Sequence, residues 1–445
     1  MENNRLPPGP TIPKLFQLAA MIFSPERFLK HCHQKYGDWF VVNAIKNPLY
    51  LTTNLESIKQ IFTTSPDILY AGVANRMALE TVVGYNSLLT LDGSAHMRQR
   101  KLLLPPFHGE RMQKYGETIR NIIQTAMRSW PQGKYFPILT EMHDVTLRVI
   151  LTTIFGIEDS ARYEQLRHLI TDFGNMEKTR LLINMSSQAA ILTFIKKYFI
   201  KRFYKLLAGI DKLLYQEIKH KRDNLSAKQE DILSLLLSAR DEDNNLMTDS
   251  EIRDELMTLL IAGHDTSATA LSWTIYHLLA NPATYLKLKD EINSIPAEVE
   301  NIVRAPYLEA VINESLRVTP VVNLVARVTQ QPITIGEYTF PKGVILSPAI
   351  NLVQHRADIW PNPNAYQPER FINQEIKPYS FFPFGGGVRR CIGMAFAMYE
   401  MKIILYEIVK STELQLQPGY HPKVVRRGVV HIPKGGVPVK LAEKK

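Results

Sequence analysis

Helical periodicity dominates the hydrophobic pattern up to about residue 320, with apolar residues recurring at three- and four-residue spacing. The clearest helix starts after Thr248, where Thr248 and Glu251 have the spacing of a capping box. It runs to Asn281, because Pro282 stops it. At 1.5 Å per residue this helix would be about 50 Å long, enough to cross a whole domain. The pattern therefore predicts one long central helix in a mainly helical protein.

Strand-like patterns are short and lie towards the two ends of the chain, each bounded by glycine or proline. They are Val41–Ile45, Leu49–Thr52, Ile333–Ile335, Val344–Ser347 and Val429–Ile432. Proline and glycine cluster between residues 331 and 393, and a helical pattern resumes at Met394 and continues to Val409. With no internal repeat and no Gly/Ser linker, the chain is predicted to be mainly α with small β-sheets, in a single large domain.

No stretch reaches the roughly 18–20 apolar residues that a transmembrane helix needs. The run Leu15–Phe23 is predicted to be a short surface helix rather than a signal peptide, because Gln17 interrupts it and no cleavage site follows. Between Lys196 and Arg222, basic and apolar residues alternate at helical spacing. Such a helix suits either a membrane surface or an ordinary solvated face, and the acids Asp211 and Glu217 favour the second.

Composition adds limits to this picture. At about 150 residues per domain, 445 residues allow two or three domains or one large one. Lysine and arginine number 53 against 43 acids, but this excess is diffuse, so a nucleic-acid partner is not expected. The two cysteines, Cys32 and Cys391, are too few for a disulfide framework and indicate a reducing compartment such as the cytoplasm.

The segment with the strongest chemical signal runs from Phe384 to Gly393, with the sequence F-G-G-G-V-R-R-C-I-G. Its glycines allow a tight turn and close approach to something large and flat. Cys391 precedes a helix, whose N-terminus together with Arg389 and Arg390 favours thiolate over thiol. Zinc needs three or four protein ligands and these are missing at local spacing, whereas haem iron needs only one. A buried structural cysteine on a glycine-rich turn is the alternative.

This segment resembles the haem-binding signature of the cytochrome P450 monooxygenases, F-x-x-G-x-R-x-C-x-G. The match holds at Phe384, Gly387, Arg389, Cys391 and Gly393, every fixed position of the signature. Three further family motifs occur in order, namely A-G-x-[DE]-T at 262–266, E-x-x-R at 314–317 and P-E-R-F at 368–371. The resemblance covers the chain from Pro7 onward and implies a soluble, bacterial-type member without a transmembrane anchor, expected to be a monomer.

The resemblance implies one haem-thiolate monooxygenase domain over residues 1–445. Within it we expect an N-terminal segment at 1–24 and a small β region built from 25–60 and 321–350. A helical region at 61–320 and the haem-thiolate loop with its following helix at 378–410 complete the layout.

The resemblance implies roles for the E-x-x-R motif and for the A-G-x-[DE]-T motif. Glu314 and Arg317, three residues apart on a helix, meet on one face, and the resemblance implies a buried triad completed by Arg370. Gly263 costs about 1 kcal/mol inside a helix, and Thr266 can bond to a carbonyl four residues back. Together they would open a groove for dioxygen. By resemblance, Thr266 donates protons during oxygen activation and Asp265 connects it to solvent.

The propionates of the haem need cationic partners. His96 and Arg100 lie four apart on one helix face and resemble a family pair that binds them, and Arg389 and Arg327 are further candidates. The resemblance also suggests apolar pocket walls around 77–90, 181–194, 259–262, 321–325 and 428–430. Individual candidates for the substrate pocket are Leu88, Ala262, Val321 and Val325.

The implied cofactor is haem, iron protoporphyrin IX held by the Cys391 thiolate, with dioxygen as co-substrate. The implied reaction inserts one oxygen atom into a hydrophobic small molecule of the fatty acid, alkane or terpenoid class. No flavin or nicotinamide motif is evident, so reducing equivalents would come from an external donor, a ferredoxin or flavodoxin with its reductase. A basic patch on the sulfur side of the haem would steer this acidic partner. Its members are Arg98, Arg100, Lys101, Arg389 and Arg390.

Two alternatives to this reaction remain open at the level of sequence. The first is a haem-thiolate peroxygenase, which uses peroxide and needs no redox partner; the Asp265–Thr266 pair argues against it. The second is a haem-binding sensor or carrier without turnover.

Overall fold

The computed structural model describes residues 6–44, 47–107, 110–156, 164–174, 190–224 and 231–442. Helices account for most of this part of the chain, so the predicted mainly α fold is confirmed. They are α1 (Lys14–Phe23), α2 (Pro25–Tyr36), α3 (Leu55–Thr63), α4 (Gly72–Val83), α5 (Gly93–Leu103), α6 (Glu110–Arg128), α7 (Ile138–Phe155), α8 (164–174), α9 (Ala190–Asp223), α10 (Ile232–Ser238), α11 (Asp249–Ala280), α12 (Pro282–Ser294), α13 (Val299–Arg304), α14 (Pro306–Val318), α15 (Ile350–Val353) and α16 (Met394–Ser411).

The strands are short and form small sheets beside this helical body. They are β1 (Trp39–Val42), β2 (Leu49–Thr52), β3 (Leu69–Tyr70), β4 (Phe136–Pro137), β5 (Arg327–Thr329), β6 (Ile333–Ile335), β7 (Tyr338–Phe340), β8 (Ile345–Pro348), β9 (Leu414–Leu416), β10 (Val424–Arg427), β11 (Val430–Pro433) and β12 (Pro438–Leu441). The largest sheet has the order β1-β2-β8-β5-β3, in which β2 and β8 are parallel. Another sheet has the order β4-β12-β9, and the pairs β6-β7 and β10-β11 form hairpins.

Two predicted strands, β2 and β6, have the predicted bounds. The predictions for β8 and β11 are displaced by one residue, and β1 starts two residues before the predicted Val41. The strands that the pattern missed, such as β3 and β12, contain only two to four residues. Such segments are too short to show alternation, and their strand conformation depends on pairing with distant partners.

Helix α11 is the axis of the molecule. The predicted capping box is confirmed, because the Glu251 N–H donates to Thr248 Oγ1 at 3.2 Å and the Thr248 N–H donates to Glu251 Oε2 at 2.8 Å. The helix packs against α7, α14, α16 and β11 and is buried on most of its surface. Ala262, near its middle, is nevertheless exposed. An exposed position inside a buried helix indicates that α11 lines an internal space there.

Helix α1 lies on the surface, as predicted, with an unusual orientation. Its buried residue is Gln17, which donates to the carbonyl of Ile12 at 2.8 Å and accepts from the Asn43 N–H at 2.8 Å. Leu15 and Phe16 are 73% and 63% exposed. A polar side chain therefore fixes this helix to the body. Within the described ranges, no helix is both long and apolar enough to cross a membrane.

Helix α9 contains the basic stretch for which the sequence allowed either a membrane-surface helix or an ordinary solvated face. Asp211 pairs with Arg253 of α11 at 2.5 Å, and Glu217 is only 6% exposed. These contacts are those of an ordinary amphipathic helix packed on its neighbour. The predicted pocket wall at 181–194 lies outside the residues whose side chains the structure describes.

Candidate functional site

The cysteine loop between Pro383 and α16 is closed by a hydrogen bond from the Cys391 N–H to the Phe384 carbonyl at 3.0 Å. Gly385 and Gly387 have φ values of +70° and +65°, which favour glycine. A Cβ on Gly386 would lie 2.3 Å from the Phe62 ring, and one on Gly387 would lie 2.0 Å from the Phe62 carbonyl oxygen. Packing against α3 therefore already requires glycine at both positions, and the expected approach of the loop to a large flat group stays a prediction.

Gly393 differs from these glycines. A Cβ built on it would meet no protein atom within 4 Å. The loop thus contains two kinds of glycine. Gly386 and Gly387 are required because a side chain would collide with the protein, whereas no protein contact explains why Gly393 lacks a side chain.

Cys391 retains accessible surface although it lies deep in the molecule. Desolvation raises the pKa of its thiol, while the Gly393 N–H and the guanidinium groups of Arg100 and Arg390 lower it. The expected preference for thiolate is thus weaker than the sequence suggested, because burial is the largest effect. A cation bound to the sulfur would reverse this balance, since a coordinating thiol is deprotonated outright. Across the described ranges, no three histidine, cysteine, aspartate or glutamate side chains gather as a metal-binding cluster.

A cluster of cationic side chains surrounds His96. His96 is 1% exposed, and its Nδ1 atom has no hydrogen-bond partner in the described part of the chain. Desolvation, followed by the charges of Arg389, Arg100 and Arg327, lowers its pKa to about 3. All four propionate candidates from the sequence are therefore brought together.

The balance of charge in this His96 cluster is incomplete. Arg389 pairs with Asp92 at 2.6 Å and donates to the carbonyls of Leu88 and Leu91. Arg327 donates to backbone carbonyls, and burial together with Arg389 lowers its pKa to about 10. Arg100 has no polar side-chain partner within the described residues.

The guanidinium groups of these three arginines thus face one carboxylate, Asp92, and Arg76 adds a further positive charge beside Arg389, which leaves an excess of positive charge for an anionic ligand. The two propionates of a haem carry the complementary charge, and each would make charge-assisted hydrogen bonds here. The orphaned His96 nitrogen and the uncompensated arginines therefore fit this group. Cys391 would supply the one protein ligand that haem iron needs.

The predicted triad is present. Arg317 donates to both oxygens of Glu314 at 2.6 and 2.8 Å, and Arg370 donates to Glu314 at 3.3 Å. Glu314 and Arg317 are 0% exposed. Arg317 also donates to the carbonyls of Gln354, Pro363 and Ala365, so the network joins α14 to the segment that precedes the cysteine loop.

In the middle of α11, the predicted hydrogen bond from Thr266 Oγ1 to the Ala262 carbonyl is present at 2.7 Å. A Cβ on Gly263 would lie 2.6 Å from Ile150 Cδ1, so this glycine admits α7 against α11. The exposed residue next to it is Ala262. The expected groove for dioxygen stays a prediction.

Asp265 has protein partners that the sequence did not reveal. It forms an ion pair with Arg427 at the end of β10, and its Oδ1 lies 3.4 Å from His143 Nε2 of α7. The expected connection of Asp265 to solvent is thus replaced, in this structure, by contacts with protein groups. The sequence signals were weak, a lone histidine in a helix and the second arginine of an Arg-Arg pair before Gly428.

The pocket candidates differ in their environment. Leu88 and Val321 are 6% and 8% exposed and belong to the main core. Leu88 also donates its N–H to Glu255 at 2.8 Å, which fixes the backbone that holds Arg389. Val325 is half-buried next to Gly385, and Ala262 is exposed.

The predicted basic patch is wrong for three of its five members. Arg98 pairs with Asp241 and Glu251, each at 2.6 Å, and Lys101 pairs with Glu242 at 2.6 Å. Arg389 is turned inward. Acids distant in sequence neutralise these cations, and only tertiary contacts could show this.

Arg390 remains exposed beside a cavity of about 470 Å³. This cavity lies between the cysteine loop, the N-terminal half of α14 and the first turns of α16. Its lining includes Glu309, Asn313, Phe384, Met394 and Met398.

The comparisons with known proteins agree with this geometry. The family model of cytochrome P450 matches residues 5–439. The Mycobacterium tuberculosis protein named cytochrome P450 135B1 is 35% identical over 443 residues, covering 98% of this chain and 91% of that protein. The one named cytochrome P450 137 is 32% identical over 448 residues, with coverage of 98% and 91%.

Among solved structures, retinoic acid-bound cyanobacterial CYP120A1 superposes with a TM-score of 0.85 at 25% identity, covering 99% of this chain and all of that one. The haem domain of cytochrome P450DA shares the fold, with a TM-score of 0.88 at 21% identity and coverage of 99% and 98%. With the family model spanning nearly the whole chain and relatives above 30% identity, the chain belongs to the cytochrome P450 family and is a bacterial-type, haem-dependent monooxygenase.

Proposed function

We propose that this protein inserts one oxygen atom of dioxygen into an apolar substrate, using electrons from an external redox protein. One oxygen atom enters the substrate, and the other leaves as water with two electrons and two protons. The observation that carries this proposal is the acid–alcohol pair Asp265–Thr266 beside the exposed Ala262 in the middle of α11. A peroxygenase would not need protons delivered at this point, and a carrier would not need them at all.

The residues that would hold the haem are Cys391 at the iron and His96, Arg100, Arg327 and Arg389 at the propionates. When bound, a haem-thiolate centre supplies the activation of dioxygen. The protein supplies ligation, charge balance, protons and exclusion of water. The triad of Glu314, Arg317 and Arg370 holds the segment that precedes the cysteine loop in place and has no part in the chemistry.

Proton delivery is assigned to two neighbouring side chains. The Thr266 hydroxyl is the last protein group on the path, and its bond to the Ala262 carbonyl holds its oxygen in a defined orientation. Asp265 is the carboxylate that exchanges protons with Thr266. A hydroxyl both donates and accepts, so Thr266 passes on a proton without holding charge.

The proposed substrate is a fatty acid, an alkane or a terpenoid. Two features support an apolar molecule: Ala262 opens to the internal space, and Val429 in the turn between β10 and β11 is 44% exposed. The structural relative CYP120A1 was solved with retinoic acid bound. That ligand is itself largely apolar, which favours a fatty acid or terpenoid over a polar metabolite.

A ferredoxin or flavodoxin with its reductase is the proposed electron donor. The proposed docking face is the cavity beside the cysteine loop, with Arg390 as the exposed cation. We propose a cytoplasmic location, because Cys32 and Cys391 are both free thiols.

The test uses the haem-loaded protein with a surrogate ferredoxin, its reductase and NADPH, a panel of fatty acids, alkanes and terpenoids, and ¹⁸O-labelled dioxygen. We expect one labelled oxygen atom in the product and no product without the redox proteins. Equal turnover with peroxide alone would establish the peroxygenase instead. Absence of ligand-stimulated NADPH consumption across the panel would favour the sensor or carrier.

The residue assignment has its own test. Thr266→Ala should retain haem but divert most electrons to peroxide. Thr274→Ala is the matched control, since Thr274 makes the same bond to a carbonyl four residues back, at 2.8 Å, two turns further along α11. If both variants couple electrons to product like the parent protein, Thr266 is not on the proton path.

A further inference from the structure

Three elements that are distant in sequence bring a histidine, an arginine and an aspartate together beside Thr266. Arg427 of β10 donates from Nη2 to His143 Nε2 of α7 at 2.7 Å. The same Nη2 atom forms the ion pair with Asp265 Oδ1 of α11. The three side chains are 21%, 16% and 18% exposed, so the chain His143–Arg427–Asp265 is largely shielded from water.

The charge states of this chain follow from its surroundings. Burial, followed by the charges of Arg427 and His264, lowers the pKa of His143 to about 2. His143 is therefore neutral at physiological pH, and its close approach to Asp265 is not an ion pair. Because a guanidinium only donates, His143 Nε2 must be the acceptor. Its role in the chain is to orient the guanidinium of Arg427.

The two oxygens of Asp265 are used differently. Both Arg427 and His143 lie against Oδ1. The other oxygen, Oδ2, has no polar partner among the side chains that the structure describes. One oxygen is thus anchored by charge, and the other has no such anchor.

Arg427 also holds the turn between β10 and β11. It is the last residue of β10, and the turn that follows contains Gly428, with a φ of +58°, and the exposed Val429. The ion pair with Asp265 therefore tethers this turn to α11. The adjacent Arg426 does not take part, because its Nε donates to the Gly428 carbonyl and it is exposed.

We propose that Arg427 and His143 are positioning residues that hold Asp265 in the orientation needed for proton delivery and keep the β10–β11 turn against α11. The proposal rests on the proposed function, because it assigns a purpose to the anchored oxygen of Asp265. Neither residue touches the reacting atoms; both act through Asp265.

The test compares Arg427→Met with Arg426→Met in the haem-loaded protein. We expect the product formed per NADPH to fall about tenfold in Arg427→Met, with peroxide rising in its place, since a shielded charge pair is broken. In the resting protein, amide hydrogen exchange over residues 424–430 should become faster. Arg426→Met should change neither quantity by more than about twofold, as for an exposed charge.

The role of His143 is tested with two replacements, one that has a hydrogen-bond acceptor in its side chain and one that lacks it. His143→Gln keeps an amide oxygen that can accept from Arg427, and it should retain coupling. His143→Leu removes the acceptor and should lose about threefold, since it weakens the orientation of Arg427 but leaves the ion pair. A purely structural role would affect both variants alike.

Equal coupling and equal exchange in Arg427→Met and Arg426→Met would overturn the inference. If Arg427→Met does not fold, Arg427→Gln removes the charge but keeps a polar side chain, and parental coupling in that variant would also overturn it. If Thr266→Ala uncouples while Arg427→Met does not, only this inference fails. If Thr266→Ala does not uncouple either, the proton path of the proposed function fails with it.

Discussion

Two clusters of buried charge in this protein differ in how their charges are balanced. In the triad, Glu314 accepts from Arg317 and Arg370, and backbone carbonyls take further donors of Arg317. In the His96 cluster, one carboxylate faces three guanidinium groups and a buried imidazole nitrogen has no partner. Both clusters carry motif residues, and burial alone does not distinguish them.

This difference in charge balance distinguishes residues that stabilise the fold from residues that would bind a ligand. A buried charge network persists without help only when its donors and acceptors are satisfied internally. The triad meets this condition. The His96 cluster does not. Burial, followed by the like charges of neighbouring arginines, lowers the pKa of His96 and of Arg327, and an anion would relieve that repulsion. Between these two clusters, incomplete charge balance therefore distinguishes the one that would bind the haem propionates.

The largest effect is expected from a substitution in the triad, whose hydrogen bonds are made within the protein. Glu314→Gln should lower the free energy of unfolding by about 3–5 kcal/mol, because it leaves two buried arginines without a counter-charge. Urea denaturation followed by circular dichroism measures this quantity. Glu56→Gln, in the exposed pair Glu56–Lys59, is the control and should cost less than about 1 kcal/mol. Equal effects of the two variants would contradict the assigned role of the triad.

The same contrast is expected between two glycines of the cysteine loop. Gly386→Ala places a Cβ against the Phe62 ring and should destabilise the haem-free protein by about 1–3 kcal/mol. Gly393→Ala meets no protein atom and should leave that stability unchanged while weakening haem binding. Thermal unfolding without haem and haem titration of each variant measure the two effects. Loss of haem-free stability in Gly393→Ala would refute the distinction.

Removal of one unpaired cation should act on ligand binding alone. Arg100→Leu should weaken haem affinity about tenfold, the contribution of one charge-assisted hydrogen bond. The haem-free protein should keep its stability, because the substitution also relieves repulsion with Arg389. Lys101→Leu, on the same helix but paired with Glu242 at the surface, is the control. A similar loss of haem affinity in both variants would argue against a specific contact of Arg100.

A further effect appears only when the pH is changed. The pKa of His96 is lowered to about 3, whereas an unfolded histidine titrates near pH 6.5. Between these values the unfolded chain binds more protons, so stability falls as the pH decreases from about 6.5 towards 3, by at most about 1.4 kcal/mol per pH unit for this group. Haem propionates beside the imidazole would raise its pKa and reduce that slope.

His277 provides the comparison, because burial followed by the charge of Arg317 lowers its pKa to about 3, beside the triad. His277→Gln should reduce the acid slope with and without haem, whereas His96→Gln should reduce it only without haem. Unfolding measured between pH 4 and 7 in both states tests this. An identical pattern for the two variants would remove the distinction between the clusters.

Local sequence determined the parts of this protein that depend on neighbours along the chain. The capping box of α11, the bond of Thr266 to Ala262 and the contact of Glu314 with Arg317 each join residues three or four apart, and the sequence predicted all of them. The cysteine loop belongs to the same class. Its residues lie within ten positions, so a fixed spacing identifies it.

Tertiary structure decided which charges are compensated. Asp241 and Glu242 neutralise Arg98 and Lys101 across about 140 positions, which removed most of the predicted basic patch. Packing against Phe62 and Ile150 requires glycine at Gly386 and Gly263.

The contacts of Asp265 depend on the same long-range packing. Arg427 lies 162 positions and His143 lies 122 positions from Asp265, and neither belongs to a motif. The sequence by itself therefore determined the family and the short-range hydrogen bonds of Thr248, Thr266 and Glu314. The balance of charge around them arose only from packing, because electrostatic interactions act through space and depend on which distant side chains the fold brings together.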